Sequence, residues 1–391
     1  MNQQALDLHK KYTGKLETVA KMGKLHKELL PLVYTPGVAD VCLAIAENPE
    51  LAYTHTLKGR TVAVISDGSA VLGLGNIGPL AGLPVMEGKS LLLKEFGGVD
   101  SFPLVLNTQI PEEIITFVKQ VAPTFAGINL EDIKAPGCFQ VEEALQDIGI
   151  PVFHDDQHGT AIVVKAALLN AAKVVGKPFD SLKVVIVGAG AAGLSVARML
   201  LGLECLGKTC SLLPKVDRVA DVIVVDRIGA LVSGRESQNM YKQSLADSSN
   251  KRMLKGSLAT VAKNADVIIG VSGPNLIAPE IIENMAEKPI VFALANPVPE
   301  IDPAIAKRAG AAVIATGRSN MPNQINNVLA FPGIFRAVIQ GRLPKITQHM
   351  KQAAAHALAD CVKNPTVENI IPTPFHPGLA DIVAKAVLDA K

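Results

Sequence analysis

The sequence carries almost no excess charge of either sign. Its 38 lysines and arginines face 36 aspartates and glutamates, which leaves a formal net charge of +2 over 391 residues. The basic residues are spread among the acids rather than clustered in blocks. Nucleic-acid binding requires a basic surface that neutralises phosphates, so this balance argues against nucleic acid as a partner.

Long apolar runs and a secretory signal are also missing. The apolar stretch at residues 184–197 is too short to span a bilayer, contains three glycines and stops at Arg198. Residues 1–11 are polar and lack the apolar segment of a signal peptide. We therefore expect a cytoplasmic protein without a membrane partner.

Cysteine is scarce and irregularly placed. Five cysteines are an odd number, and their uneven spacing does not favour a disulfide framework. Cys205 and Cys210 also lack the spacing and the nearby histidine pair of a zinc site. The expected state is five free thiols, mostly buried, at Cys42, Cys138, Cys205, Cys210 and Cys361.

What the sequence does have is length and apolar material. At 391 residues it exceeds the roughly 250 to 300 residues at which a single core stops growing, so two domains are expected. Hydrophobic residues make up 49% and charged residues 19%, which suits buried parallel sheet. Short apolar runs alternate with helical patterns, so the predicted fold class is α/β with two domains.

The predicted strands fall into two series, separated by a long helix over residues 157–176. The first series lies at 61–66, 101–106, 126–129 and 151–153. The second lies at 183–187, 221–225, 266–270, 290–294 and 312–315 and indicates a doubly wound sheet. We place the domain boundary between residues 156 and 157, and the helical patterns near 346–362 and 378–390 could fold back on the first domain.

A glycine-rich turn joins the first strand of the second series to a helix. Gly188 makes the tight turn, Gly190 lets the backbone approach a pyrophosphate, and Gly193 allows close helix packing. The other positions of this loop are Ala189, Ala191 and Ala192. A purely structural turn is the alternative, but the strand before and the helix N-terminus after it favour NAD or NADP.

The next strand ends at Asp226, where an acid can accept a hydrogen bond from the ribose 2′-hydroxyl of NAD. Arg227 follows directly and could instead hold the 2′-phosphate of NADP. Asp226 also lies 38 residues after Gly188 rather than the expected ~20, because residues 204–219 form an inserted loop. The choice between NAD and NADP therefore stays open.

Two pairs of acids follow two predicted strands of the first series. Glu131 and Asp132 follow one strand, and Asp155 and Asp156 follow another. Because the carboxyl ends of parallel strands meet at one sheet edge, these acids can converge and offer hard oxygen ligands to Mg²⁺ or Mn²⁺. The alternative for the second pair is a helix cap.

Two histidines near these acids raise the question of zinc. His154 and His158 are four residues apart, but the metalloprotease motif needs both on one helix face with a glutamate after the first. His154 is predicted to end a strand, and Asp155 stands where that glutamate would be. We therefore interpret both histidines as hydrogen-bonded polar residues near the site.

At this point the chain resembles a known family, the short bacterial-type malic enzymes. The shared motifs cover the chain from about residue 30 to 380 and match least well between 203 and 257. They are YTPGVA at 34–39, SDGSAVLGLGN at 66–76, PVMEGK at 84–89, NLED at 129–132, FHDDQHGTA at 153–161, ANPVPE at 295–300 and GRSNMPNQINNVLAFPG at 317–333.

The resemblance implies oxidative decarboxylation of malate to pyruvate and CO2, with NAD or NADP and Mg²⁺ or Mn²⁺, in a homodimer. Residues 1–156 would then be the malic enzyme catalytic domain, and residues 157–391 the nucleotide-binding domain. The alternatives are a malolactic enzyme, which releases lactate and retains NAD, and a non-catalytic nucleotide-binding regulatory protein. A predicted helix at 6–22 is a candidate dimer contact.

The resemblance also implies roles for individual residues. Tyr34 would be the general acid, Lys89 the general base that also contacts substrate, and Asp155 the partner of Lys89. The implied metal ligands are Glu131, Asp132 and Asp156, and the residues implied to touch substrate or nicotinamide are Asn296, Asn326 and Asn327. One departure is Ala70, since larger malic enzymes have a carboxylate-binding arginine in that segment.

Without the family motifs, neither Tyr34 nor Lys89 would stand out. Tyr34 precedes Thr-Pro-Gly and could be an aromatic at a turn, and Lys89 lies on an apolar helix pattern where lysines commonly reach out to solvent. As a base, Lys89 must be neutral. We expect burial and a nearby divalent cation to lower its pKa.

Overall fold

The computed structural model describes residues 2–391, and its larger sheets are two parallel ones that follow each other along the chain. The first sheet has the order β2-β1-β3-β4 and consists of β1 (Thr61–Ser66), β2 (Asp100–Val105), β3 (Gly127–Leu130) and β4 (Val152–His154). Its helices are α1 (Gln3–Tyr12), α2 (Leu30–Val33), α3 (Val38–Glu47), α4 (Ala52–His55), α5 (Pro79–Gly97), α6 (Pro111–Val121) and α7 (Gly137–Ala144).

A long helix, α8 (Asp155–Val175), connects this sheet to the second one, which has the order β12-β11-β10-β5-β8-β9. Its strands are β5 (Lys183–Val187), β8 (Asp221–Asp226), β9 (Gly229–Ala230), β10 (Val267–Gly270), β11 (Ile290–Ala293) and β12 (Val313–Thr316), of which β9 runs antiparallel. A separate hairpin consists of β6 (Leu203–Leu206) and β7 (Thr209–Leu212). This order is that of a doubly wound nucleotide-binding sheet, which confirms the predicted fold class.

The remaining helices pack around the second sheet and back onto the first part of the chain. They are α9 (Ala191–Leu201), α10 (Met240–Ala246), α11 (Leu258–Val261), α12 (Pro279–Glu283), α13 (Pro303–Arg308), α14 (Phe331–Gly341), α15 (Gln348–Asp360) and α16 (Leu379–Asp389). Both α14 and α16 contact α5, and α8 packs against α9 and α15. The chain therefore buries α8 between its two halves.

Each predicted strand is present within one residue of its expected ends. The N-terminal helix predicted at 6–22 is wrong in extent, because α1 ends at Tyr12 and the next two residues, Thr13 and Gly14, both have positive φ angles. Helix α8 starts earlier than predicted, at Asp155, because two acids in its first turn interact favourably with the helix N-terminus.

The expected insertion before β8 contains the β6–β7 hairpin. Cys205 and Cys210 are directly opposite each other in this hairpin, and their sulfurs form a disulfide. The prediction of five free thiols is therefore wrong for this pair, because the hairpin brings their Cα atoms to 4.0 Å. Cys42, Cys138 and Cys361 are free.

Two helical stretches are long and apolar enough to cross a membrane, judged by length and composition alone. They are Leu30–Glu47, near the N-terminus, and Asp155–Val175. The second is mostly buried inside the protein, and the core helix of a globular protein satisfies the same criteria.

Candidate active site

The four predicted acids come together at the carboxyl edge of the first sheet. Strands β1 and β3 are neighbours at the point where the strand order reverses, which is where ligands bind to open α/β sheets. Glu131 and Asp132 directly follow β3, while Asp155 and Asp156 form the first turn of α8 after β4. The backbone N–H of Asp132 donates to Asp156 Oδ2 at 2.8 Å, so the two pairs are in direct contact.

Lys89 lies inside this group of acids. Its side chain is only 6% exposed, and its Nζ lies 2.5 Å from Asp155 Oδ2 and 2.8 Å from Glu131 Oε1. The ammonium also lies 4.1 Å from the centre of the Phe331 ring. Lys89 is therefore a buried, doubly paired cation, and the interpretation of a lysine that reaches out to solvent is wrong.

The charges around Lys89 act against the lowered pKa expected from burial. Burial does favour the neutral amine, but the carboxylates of Asp155 and Glu131 outweigh it, and the pKa of Lys89 is raised. A carboxylate at hydrogen-bond distance stabilises the ammonium more than the loss of hydration destabilises it. The protein's own groups thus keep Lys89 charged.

Glu131, Asp132 and Asp156 form a site that fits a divalent cation. One carboxylate oxygen from each lies within 4.8 Å of the others. Burial and the neighbouring Asp156 raise the pKa of Glu131 to about 7, and burial raises the pKa of Asp156 to about 6. Three crowded, buried carboxylates are the hard oxygen ligands that Mg²⁺ and Mn²⁺ prefer.

The backbone at Asp132 is adapted to this arrangement. Asp132 has a φ of 55°, a left-handed conformation that is uncommon outside glycine. Its carbonyl accepts a hydrogen bond from the N–H of Ala70, at 2.9 Å. Ser69 fixes the same loop by donating to Asp67 and accepting from the N–H of Lys134. The sequence analysis did not identify Asp67 or Ser69 as supports of this turn.

Asp155 and the two predicted asparagines occupy one side of the site. Asp155 is fully buried, and burial raises its pKa to about 6 although Lys89 opposes the shift. The side chain of Asn327 lies beside Asp155 across Gly159. Asn326 instead uses its Oδ1 to accept from the N–H of Val328 as a helix cap.

The two histidines border the carboxylate group without joining it as metal ligands, and His154 Nε2 lies 3.6 Å from Asp156 Oδ2. His158 Nε2 is 2.8 Å from Glu142 Oε1, and the backbone N–H of His154 donates to the same oxygen. Burial lowers the pKa of both histidines to about 4, although Glu142 opposes the shift. Both are therefore neutral near pH 7. The expectation of a hydrogen-bonded side chain holds for His158 and is wrong for His154, whose two ring nitrogens are buried without a hydrogen-bond partner among the described residues.

The glycine turn has the geometry of a nucleotide phosphate loop. A Cβ on Gly193 would lie 1.8 Å from the carbonyl oxygen of Gly188, so only glycine allows this close approach. A Cβ on Gly190 would meet open space, and α9 begins directly after it at Ala191. Gly188 lies beside Val271, between β5 and β10, where the strand order of the second sheet reverses.

Asp226 ends β8 as predicted, but two cations that the sequence analysis missed surround it. Arg235 donates to both carboxylate oxygens, at 3.0 and 2.6 Å, and Lys242 donates to Oδ2 at 2.8 Å. Burial opposes ionisation, but these two donors hold the pKa of Asp226 well below its usual range. Arg227 is exposed.

Neither Asn296 nor Tyr34 makes a hydrogen bond or an ion pair with Lys89 among the described residues. The Asn296 carbonyl closely approaches Gly73, which joins the loop after β11 to the loop after β1. Tyr34 is 68% exposed on an N-terminal segment, residues 2–60, in which no described side chain is buried. No hydrogen bond joins Tyr34 to Lys89 in the described part of the chain.

Comparison with known proteins agrees with both halves of this arrangement. Residues 13–146 match the model of the malic enzyme N-terminal domain, and residues 157–387 match the malic enzyme NAD binding domain. An NAD-dependent malic enzyme of Geobacillus stearothermophilus is 50% identical over 96% of this chain and 76% of its own length. A bifunctional malic/malolactic enzyme of Bacillus subtilis is 48% identical over 100% of this chain and 93% of its own length.

The fold agrees as well. The crystal structure of an NAD-dependent malic enzyme from Thermotoga maritima superimposes with a TM-score of 0.92 and 47% identity, covering 98% of both chains. Further relatives at 40 to 44% identity are named NADP-dependent malic enzymes.

Proposed function

The chain belongs to the malic enzyme family, and from that premise we propose that it oxidises and decarboxylates (S)-malate to pyruvate and CO2 while it reduces NAD or NADP. One observation supports this proposal most directly: the buried Lys89 ammonium contacts both Asp155 and a member of the three-carboxylate group. A base and a cation site therefore face the same substrate position. We propose the cytoplasm as its place of action.

The residues of the site would act in sequence. Lys89 would accept the proton of the malate C2 hydroxyl, with Asp155 orienting it, while C2 loses a hydride and oxaloacetate forms. When bound to Glu131, Asp132 and Asp156, Mg²⁺ or Mn²⁺ would lower the pKa of Lys89 and polarise the substrate oxygens, and the nicotinamide would take the hydride. The C3–C4 bond then breaks as CO2 leaves, and Tyr34 would protonate C3. Asn296, Asn326 and Asn327 would border substrate and nicotinamide.

The reaction can be tested by absorbance at 340 nm with malate and Mn²⁺, in parallel with NAD and with NADP, followed by assay of the carbon product. We expect reduced nicotinamide and pyruvate in equal amounts. The absence of both reduced nicotinamide and pyruvate would contradict the proposed function.

A malolactic reaction is the second candidate, because the B. subtilis relative is named a bifunctional malic/malolactic enzyme. This reaction would return the hydride to the bound product and release lactate without net reduction of the cofactor. The same assay distinguishes the two, since lactate without a rise in absorbance indicates the malolactic reaction.

We propose that the protein works as a homodimer that completes the site through the N-terminal segment 2–60. This segment exposes apolar side chains that a lone subunit would leave in water. Examples are Leu6, Leu16, Leu30, Leu32 and Leu43, each at least 39% exposed. Because Tyr34 lies on the same exposed surface, we infer that pairing of two subunits fixes its position.

Mixing two inactive variants tests this inference. Tyr34→Phe and Lys89→Ala homodimers should each be nearly inactive, and exchange of subunits should restore activity if each site uses Tyr34 of one subunit and Lys89 of the other. Random pairing of equal amounts makes about half of the dimers heterodimers, and each heterodimer has one intact site of two. Recovery of about one quarter of wild-type activity is therefore expected. No recovery after verified exchange would show that both residues come from one subunit.

The cofactor preference depends on the cluster of Asp226, Arg235 and Lys242. The hydrogen bonds from Arg235, Lys242 and the N–H of Ile228 already occupy the lone pairs of the Asp226 carboxylate. Asp226 thereby keeps both cations from a 2′-phosphate and repels that phosphate by its own charge. We propose that Asp226 sets the preference for NAD and that the cations behind it are latent phosphate ligands.

Replacing Asp226 by serine is therefore expected to raise the ratio of kcat/KM for NADP to that for NAD by about 10-fold. Initial rates with each cofactor at fixed malate measure this ratio. Glu236→Gln is a matched control, because Glu236 is exposed nearby. Adding Lys242→Gln to the serine variant should reverse the gain, and an unchanged ratio in the single variant would refute the assignment.

A further inference from the structure

Helix α8 also borders a second cavity, of about 310 Å³, that the proposed reaction does not use. The walls come from α7, α8, α9, α15 and the β6–β7 hairpin. Helix α8 contributes Gln157 and His158, the residues that directly follow the acids of its first turn. Neither those acids nor the glycine turn lines the cavity, so it is separate from the sites for malate and nucleotide.

The most unusual residue of this cavity is Lys351. Its side chain is only 5% exposed, and its Nζ has no hydrogen-bond acceptor or ionic partner among residues 2–391. Its ammonium lies 5.9 Å from the centre of the Phe153 ring. A buried ammonium without a partner is unfavourable, so the position calls for an anion.

Two acids in the wall of this cavity are already engaged. Glu142 pairs with His158, and Glu143 accepts from the N–H of Gly207 and from the hydroxyl of Tyr241. Burial lowers the pKa of Lys351 to about 8, although Glu142 and the exposed Glu204 oppose the shift. The neighbouring carboxylates therefore do not compensate for the loss of hydration of this lysine.

Two more donors along the same wall lack acceptors. Gln157 is 1% exposed, and its Nε2 has no acceptor within the described chain. Arg198 stacks over the Phe139 ring at 5.5 Å, and its Nε and Nη2 are likewise buried without an acceptor in residues 2–391. An ammonium, an amide and a guanidinium around one cavity are the donor set for a carboxylate.

We propose that this cavity binds a small monocarboxylate with an apolar body, as an effector site separate from the malate site. Lys351, Arg198 and Gln157 hold the carboxylate, and apolar side chains such as Leu203 and Ile346 cover the rest of the ligand. The exposed acids Asp147 and Glu204 at the rim disfavour doubly charged anions, including phosphate.

A direct path connects this cavity to the acids of the active site. Glu142, in the cavity wall, accepts from the backbone N–H of His154, the last residue of β4, and Asp155 follows it. A ligand on Lys351 changes the charge next to Glu142 and so biases the position of the first turn of α8. Occupancy should therefore alter malate kinetics without contact with malate.

The test is a fluorine NMR titration of the full chain with 4-fluorobenzoate, with leucine as a zwitterionic competitor. We expect binding by the wild type and by Lys363→Met, an exposed control, and at least about 10-fold weaker binding by Lys351→Met. Lys351→Arg should restore affinity. Saturating malate with Mn²⁺ should change the affinity for the probe by no more than the factor by which the probe changes KM, and should not compete with it. Equal affinity of Lys351→Met, or displacement by malate, would overturn the site.

Melting temperatures and kinetics complete the test. Without probe, Lys351→Met should melt at or above the wild type and keep its basal malate oxidation, because it removes an unpaired buried charge. A clearly lower melting temperature would instead show that Lys351 is a structural ion-pair partner and contradict the proposal. The probe should change KM for malate in the wild type and in Lys363→Met only. A bound probe that leaves KM unchanged would overturn the effector role.

Discussion

Replacing Lys89 by alanine is expected to lower kcat for malate oxidation about 1000-fold, which is within the range for loss of a general base. The amine lies in the middle of the carboxylate group, and no other neutralisable base among the described residues reaches both Asp155 and Glu131. Stopped-flow or steady-state reduction of the nicotinamide measures the loss. The decarboxylation of added oxaloacetate should fall far less, because that substrate bypasses the oxidation step.

Two controls separate chemistry from folding. Lys94→Ala removes a lysine from the same helix, where Lys94 pairs with Asp100 and is 56% exposed, so a nearly normal rate is expected. Unchanged NAD affinity and circular dichroism would show that Lys89→Ala retains the fold. If Lys89→Ala oxidised malate at close to the wild-type rate, Lys89 would not be the base.

Replacing Asp156 by asparagine is expected to weaken Mn²⁺ binding more than about 100-fold. Loss of a residue that only hydrogen-bonds a metal ligand already lowers metal affinity by about 10- to 100-fold, and Asp156 is proposed to be a ligand itself. The variant removes one of three converging carboxylates, while its amide oxygen can still accept from the Asp132 N–H, so the turn is kept and the ligand charge is lost. Electron paramagnetic resonance of free Mn²⁺ gives the affinity directly. Asp180→Asn, an exposed aspartate near the end of α8, is the matched control.

The same carboxylates should make the affinity for Mn²⁺ increase with pH. In the metal-free protein the pKa values of Asp156 and Glu131 are raised to about 6 and about 7. Their deprotonated forms bind the cation, so Mn²⁺ affinity should rise from pH 5 to pH 8. Because these pKa values exceed those of the unfolded chain, the metal-free protein should lose stability over the same rise. An affinity that is flat with pH would contradict this assignment.

Features that follow from a local pattern of residues could be predicted from the sequence. Apolar runs bounded by turns predicted each parallel strand of both sheets but not the short antiparallel strand β9. The carboxyl ends of two of the predicted strands indicated that Glu131 and Asp155 would approach each other. The glycine spacing after β5 likewise predicted close packing at Gly193, where a Cβ would lie 1.8 Å from the carbonyl oxygen of Gly188.

Other features depend on contacts between residues far apart in sequence. Lys242 reaches Asp226 only because α10 folds back over the end of β8. Lys351 feels the charge of Glu142, on α7, only because α15 packs on α8, whose His158 is hydrogen-bonded to Glu142. The disulfide was missed because its cysteines pair across a hairpin in the stretch least like the family. The raised pKa of Lys89 could not be predicted without its distances to Asp155 and Glu131, since burial alone would lower that pKa.

Helix α8 begins among the acids and then continues, buried, into the second half of the chain. The two halves are therefore joined by a stiff helix whose first turn forms part of the carboxylate site, and not by a flexible linker. Any wide opening between the halves would move Asp155 and Asp156 away from Glu131 and Asp132. The three carboxylates would then no longer converge, so the proposed cation site is expected only while the two halves stay close together.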